Sequence, residues 1–242
     1  MKGEGADESV KLPAYAVVAD RIRRRILSGD LPPGARLPNE AELMQESGFS
    51  RSTIREATRI LASEHLVRTT RGPGGGTFVL RPDLGRLTTQ VENSVALMTV
   101  AEMVTVDQLM DVRLLTEVHA AGTAAHQRSA EQLAAMRTAL QPRTSPTYEA
   151  DQDFHMQILA AAGNPMLELA CAPVFRVLHD RFSSEHASDD FWSASHADHE
   201  RILAAIERGD SMTAMTEMRR HLDRLNDTYK EMGLLRGASE ED

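Results

Sequence analysis

The sequence predicts a mainly helical protein in two parts, a small head of three helices closed by a β-hairpin and a larger body of about seven helices. Three observations predict it. Apolar residues recur at helical spacing along most of the 242 residues. Strand-like patterning is confined to two short runs flanking Arg71-Gly-Pro-Gly-Gly-Gly76. Charge also divides between the parts, with a net +4 over residues 11–80 and −11 over 81–242.

The overall charge of −9 therefore does not argue against a nucleic-acid partner, because a polyanion meets only the surface that docks on it. A single cysteine, Cys171, excludes a disulfide framework and a cysteine-based zinc cluster. No run of eighteen apolar residues is long enough for a membrane span, and the polar N-terminus lacks a signal-peptide core, so a cytoplasmic protein is expected.

The first ten residues carry no periodicity and are expected to be a frayed arm. From Ala14 to Ser28, Val17, Val18, Ile22 and Ile26 mark the inner face of a first helix, and Gly29 sits where such a helix stops. Leu31-Pro-Pro-Gly-Ala-Arg-Leu-Pro38 reads as a turn-rich connector. Asn39, with Glu42 three residues on, has the form of a capping box for a short second helix. Gly48 breaks the chain and Ser50 caps a third helix from Arg51 to about Ser63, with Ile54, Ala57 and Leu61 inward. Leu66–Thr70 and Thr77–Leu80 then form a hairpin whose glycine-rich tip projects as a wing. This is the plan of a winged helix-turn-helix occupying residues 11–80. A linker at 81–86 follows, and a helical body at 87–234, with cap signals at Thr105, Ser129, Ser145 and Ser211 and stops at Gly163 and Gly209.

An arginine pair at i, i+4 is ordinarily a solvated helix face. Arg51 and Arg55 instead follow directly on the cap of the second helix of a tight pair, where side chains reach base edges and the helix terminus favours phosphate. Arginine there forks onto guanine. Ser52 and Thr53 can donate to phosphates, and Arg71 at the wing tip can enter a minor groove.

These residues carry a resemblance. Gly29-Asp-Leu-Pro-Pro-Gly-Ala-Arg-Leu-Pro-Asn-Glu40, Ser50-Arg-Ser-Thr-Ile-Arg-Glu-Ala57, Leu66-Val67 and Gly74-Gly-Gly-Thr-Phe-Val79 resemble the N-terminal domain of the GntR family of bacterial repressors. The resemblance implies that Arg51, Ser52, Thr53, Arg55 and the wing at Arg71-Gly72 contact operator DNA. One departure is Ala41, where many members have a phosphate-binding arginine. The loss of that contact lowers the expected affinity or its salt slope.

In the body, three of the nine histidines lie on apolar stripes: His155 with Ile158, Leu159 and Ala162; His199 with Ile202, Leu203 and Ile206; His221 with Met218 and Leu225. Asp151 shares the face of His155, while Asp153 is turned away. A lone inward histidine usually hydrogen-bonds locally. Three of them with a carboxylate, on three helices, form an N3O donor set suited to zinc, nickel or manganese. His196, one turn before His199, is the residue that could exchange roles with it.

The pattern also resembles the FCD ligand-binding domain of the FadR subfamily, through Asp-Val-Arg-Leu-Leu-Thr-Glu117, Asp151-x-x-Phe-His155, His199-x-x-Ile-Leu-x-Ala-Ile206 and Met218-Arg-Arg-His-Leu222. The resemblance implies Asp151, His155, His199 and His221 as metal ligands. It implies Arg113 as a group facing the effector, with a helix-surface ion pair to Glu117 as the competing reading. It further implies a homodimer on a near-palindromic operator, a small carboxylate effector held at the metal, and repression relieved by ligand as the commoner logic. A metallohydrolase would need a second carboxylate with a claim on the pocket, and none is evident, so an enzyme is not expected. A metal-free acyl-CoA sensor is the other alternative, against which the full ligand set argues.

Overall fold

The computed structural model describes residues 12–141, 148–181 and 188–239. The expected N-terminal arm and the cap at Ser145 lie outside these. The chain forms two compact units that divide between Asp83 and Leu84.

In the first unit α1 (Ala14–Leu27), α2 (Glu40–Ser47) and α3 (Arg51–Ser63) precede β1 (Val67–Thr70) and β2 (Gly76–Val79). The capping box of α2 forms as read, Asn39 accepting from the amides of Ala41 and Glu42 while Glu42 reaches back to the Asn39 amide. Gly48 then adopts φ +75°, a left-handed conformation that turns the chain into α3. Ile54, Ala57 and Leu61 are completely buried and pack with Val18, Ile22, Leu43, Val67 and Val79. Val17 differs from expectation. It is 44% exposed, because the inward row runs Val18, Ile22, Ile26 at i, i+4, and Val17 lies one residue off that row.

The hairpin is antiparallel with Val67 opposite Val79, its strands displaced by one residue from the expected ends. The connector is more ordered than its composition suggests. The Leu37 amide donates to Thr77 O at 2.8 Å and the Val79 amide to Ala35 O at 2.8 Å. Arg36 pairs with Phe78 along the outer edge of β2. Residues read as a turn therefore satisfy an otherwise open sheet edge.

The second unit contains seven helices among the described residues: α4 (Leu84–Val100), α5 (Val106–Gln127), α6 (Ala130–Ala139), α7 (Tyr148–Ala161), α8 (Pro165–Arg181), α9 (Asp189–Glu207) and α10 (Ser211–Ser239). Helix α4 begins at Leu84, inside the span expected to be linker, leaving three connecting residues after β2 and Leu80. Thr105 with Gln108 and Ser129 with Gln132 form capping boxes. At α10 the cap is Asp210, which accepts from the Thr213 amide, rather than Ser211, whose hydroxyl donates to Gly122 O on α5 at 2.9 Å. Gly122 allows that approach, since a Cβ there would lie 2.7 Å from Met215 Cγ. Helix α5 is the spine, packed against α7, α8, α9 and α10. Phe154, Ile158, Phe175, Leu178, Ile202, Ile206, Met218 and Leu222 enclose it in one continuous core. No described helix is long and apolar enough to cross a membrane.

Candidate functional site

The first unit gathers its polar groups at the start of α3. Ser50 Oγ accepts from the Thr53 amide at 3.3 Å and lies 2.9 Å from both Ser52 Oγ and Thr53 Oγ1. Three hydroxyls and the orphan amides of a helix N-terminus thus share one exposed end. Arg51 and Arg55 project from it with side chains 63% exposed. Both meet Glu40, the first residue of α2: Arg55 Nε donates to Glu40 Oε1 at 2.7 Å and Arg51 Nε lies 3.7 Å from Oε2. Glu40 was not a site candidate. Fifteen residues and a turn separate it from Arg55, so no helical spacing points to the pair. On the wing, Arg71 is exposed beside Gly72 at φ +102°. Arg36 donates to Gly75 O at 2.7 Å and anchors the tip from the connector.

The second unit brings together the four sequence-predicted ligands. Helix α7 supplies Asp151 and His155, α9 supplies His199 and α10 supplies His221. The three Nε2 atoms form a triangle with sides of 3.1, 3.2 and 3.3 Å. Asp151 stands at its edge, Oδ1 at 3.5 Å from His199 Nε2 and Oδ2 at 3.8 Å from His155 Nε2, steadied by Ser195 donating to Oδ1 at 2.9 Å. All four side chains are buried. His196 has no part in the triangle; it is 47% exposed beside Glu200. His65, His119 and His126 also lie apart from it, and Asp153 is exposed.

The surroundings decide which nitrogens carry protons. His155 Nδ1 lies 2.5 Å from Glu117 Oε2 and His221 Nδ1 lies 3.2 Å from Asp198 Oδ2. A carboxylate can only accept, so these rings hold hydrogen on Nδ1 and turn Nε2 lone pairs toward one another. Burial, with the neighbouring histidines, pushes His199 and His221 well below the usual imidazole pKa and keeps them neutral. The His155 and His221 lone pairs converge on His199 Nε2, where either a proton on that nitrogen or a cation among the three rings can satisfy them. Donors at about 2.0–2.1 Å from zinc stand about 2.8–3.0 Å apart in octahedral and about 3.3–3.4 Å apart in tetrahedral arrangement, and the observed sides lie between these limits. The residues present therefore fit a divalent transition ion.

Glu117 and Asp198 were not sequence candidates as second partners of the histidines. Glu117 is fully buried. Burial alone would raise its pKa, but the Arg113 guanidinium and His155 hold it below the usual carboxylate range. Arg113 Nε donates to its Oε1 at 2.6 Å. The competing reading of Arg113 was thus right about the partner and wrong about the place: both side chains are 0% exposed, and the guanidinium carbon stands 4.4 Å from the centre of the Phe175 ring. Asp198 is also paired with Arg201 and Arg224, whose side chains are 45% and 39% exposed.

Comparison with known proteins follows this division. Residues 14–79 match the family described as bacterial regulatory proteins, gntR family, and residues 108–224 match the FCD domain. The Uxu operon transcriptional regulator of Escherichia coli (strain K12) is 30% identical over 229 residues, 86% of this chain and 84% of that protein. This chain belongs to the GntR family. Its FCD body is the architecture of the FadR subfamily, and the protein is a DNA-binding transcription regulator rather than an enzyme. The HTH-type transcriptional regulator LutR of Bacillus subtilis (strain 168) is 28% identical over 216 residues, 84% of this chain and 94% of that one. The match to the mannosyl-D-glycerate transport/metabolism system repressor MngR of Escherichia coli (strain K12) is stronger in identity, 44% over 67 residues, but spans only 27% of that protein. Among solved structures, Streptococcus agalactiae GntR shares the fold with a TM-score of 0.56 and 24% identity, over 88% of this chain and 99% of that one.

Proposed function

We propose that this GntR-family regulator is a metal-dependent sensor: Asp151, His155, His199 and His221 hold a divalent transition ion, zinc first among the candidates, at which a small carboxylate metabolite binds and alters operator affinity. The Nε2 triangle carries the reading. Bound there, the ion supplies a Lewis-acidic position that a ligand carboxylate can share. Arg113, enclosed in the same interior, adds a cation suited to a second oxygen of that ligand. Arg51, Ser52, Thr53, Arg55, Arg71 and Gly72 form the DNA-reading surface, arginines to base edges and hydroxyls to phosphates. The active species is a homodimer on a near-palindromic operator, and ligand relieves repression because it binds the two conformations unequally. Residues 11–80 constitute the reading head and 87–234 the sensor. A relative matched along most of this chain is named for control of the Uxu operon, which supports control of an operon by this chain as well.

The test is metal analysis of purified protein and of a His155→Ala, His221→Ala double variant, followed by operator titrations with a panel of hydroxy acids and sugar acids. About one zinc, nickel or manganese per chain, lost in the variant, supports the reading. A folded wild-type protein that takes up none of these ions overturns it.

A further inference from the structure

We infer that Glu117 is the positioning residue of the metal centre, and that it ties the metal ligand His155 to the buried cation Arg113 as one mechanical unit. This rests on the metal reading above and goes beyond it. Arg113 and Glu117 are four residues apart on α5, so their side chains stack on one helix face. One carboxylate oxygen accepts from Arg113 Nε at 2.6 Å and the other lies 2.5 Å from His155 Nδ1. The Cys171 thiol, 3.6 Å away, also points its hydrogen at Oε1. All three charged or polar partners are 0% exposed. An acceptor fixed at Nδ1 permits only the tautomer that leaves the Nε2 lone pair on the side of His199 and His221.

Asp198 performs the same service for His221, but its arginines reach solvent, so water can replace them. Glu117 has no such outlet. The consequence is a coupling. A carboxylate ligand that engages Arg113 draws on the same cation that orients Glu117, and Glu117 orients His155. Metal and ligand affinities then depend on each other, and linkage makes that dependence equal in both directions.

The experiment uses the full chain with Glu117→Gln and Asp198→Asn. The histidine tautomers are read from long-range 15N–1H correlation spectra of metal-free protein, and zinc affinity by competition with a chromophoric chelator. In wild type His155 carries its proton on Nδ1. In Glu117→Gln the amide can donate to Nδ1, the proton moves to Nε2, and zinc binds about 10–100-fold more weakly. Asp198→Asn disturbs His221 and leaves the His155 tautomer unchanged. If Glu117→Gln fails to fold because Arg113 is left uncompensated, the Arg113→Met, Glu117→Gln pair removes both charges and is read the same way. A folded variant in which His155 keeps its Nδ1 proton and zinc affinity is unchanged overturns the inference. A tautomer that moves in a wild-type background that binds no zinc upholds the role of Glu117 while removing the metal reading.

Discussion

Glu40 at the start of α2 accepts from Arg55 on the exposed face of α3 at 2.7 Å. A carboxylate thus stands among the cations proposed to meet a polyanion. It holds Arg55 and Arg51 in place, and it also opposes phosphate. Glu40→Gln removes the opposing charge and the restraint together. Binding to random-sequence duplex should strengthen several-fold, while the ratio of operator to random-sequence affinity falls. Arg55→Ala should instead lower operator affinity roughly 5- to 150-fold, the range of one lost guanine fork. Fluorescence anisotropy at fixed salt measures both. Unchanged random-sequence binding in Glu40→Gln would show that the carboxylate has no part in docking.

The helix pair itself depends on a few apolar side chains. Leu61 is completely buried against Val18, Ile22, Val67 and Val79 within the first-unit core. Leu61→Ala removes that packing and leaves a cavity the small unit cannot fully close, at about 2–5 kcal/mol. Chemical denaturation of the full chain, followed by a probe placed on the hairpin, should register a loss of this size. A loss below about 1 kcal/mol would mean that the recognition helix is held mainly by its caps.

Much of this was legible in the sequence because it is local. Asn39 and Glu42, Thr105 and Gln108, and Ser129 and Gln132 announce their capping boxes at a spacing of three, and His155, His199 and His221 betray their burial by the aliphatic residues one turn away. What was not legible depends on approach between distant segments. Arg36 against Gly75 and Glu40 against Arg55 arise only once helices and hairpin are packed. Arg113 and Glu117 have a spacing that fits a solvated ion pair as well as a buried one. Only the neighbours on α7 and α8, His155, Cys171 and Phe175, decide between them, and no pattern within α5 encodes those neighbours.

Acid should weaken the second unit before it weakens the first. His199 and His221 are held well below an ordinary value of 6.5, first by burial and then by neighbouring histidines. Their folded pKa is depressed, so below about pH 6.5 the unfolded chain takes up protons that the folded one refuses. Stability therefore falls with decreasing pH, by up to about 1.4 kcal/mol per pH unit for each histidine. Glu117, also depressed, acts in the same direction below its ordinary 4.5. Unfolding of metal-free protein followed from pH 8 to pH 5 should show the decline beginning near 6.5. A flat profile over that interval would contradict neutral burial of the two rings.

Metal addition reverses the same balance. The folded state gathers three imidazole Nε2 atoms at 3.1–3.3 Å separation, whereas the unfolded chain scatters them. An ion that binds the folded form alone stabilises it by about 2.7 kcal/mol at a free concentration one hundred times its Kd. Thermal unfolding of chelator-treated protein should therefore move upward on titration with zinc. His199→Ala removes the proposed ligand whose Nε2 stands closest to Asp151, at 3.5 Å, and should abolish the increment. It leaves the proposed operator-reading face of α3 untouched, so random-sequence DNA affinity should stay at the wild-type value. If zinc raises the unfolding temperature of His199→Ala as much as that of the wild type, the stabilising ion is bound elsewhere.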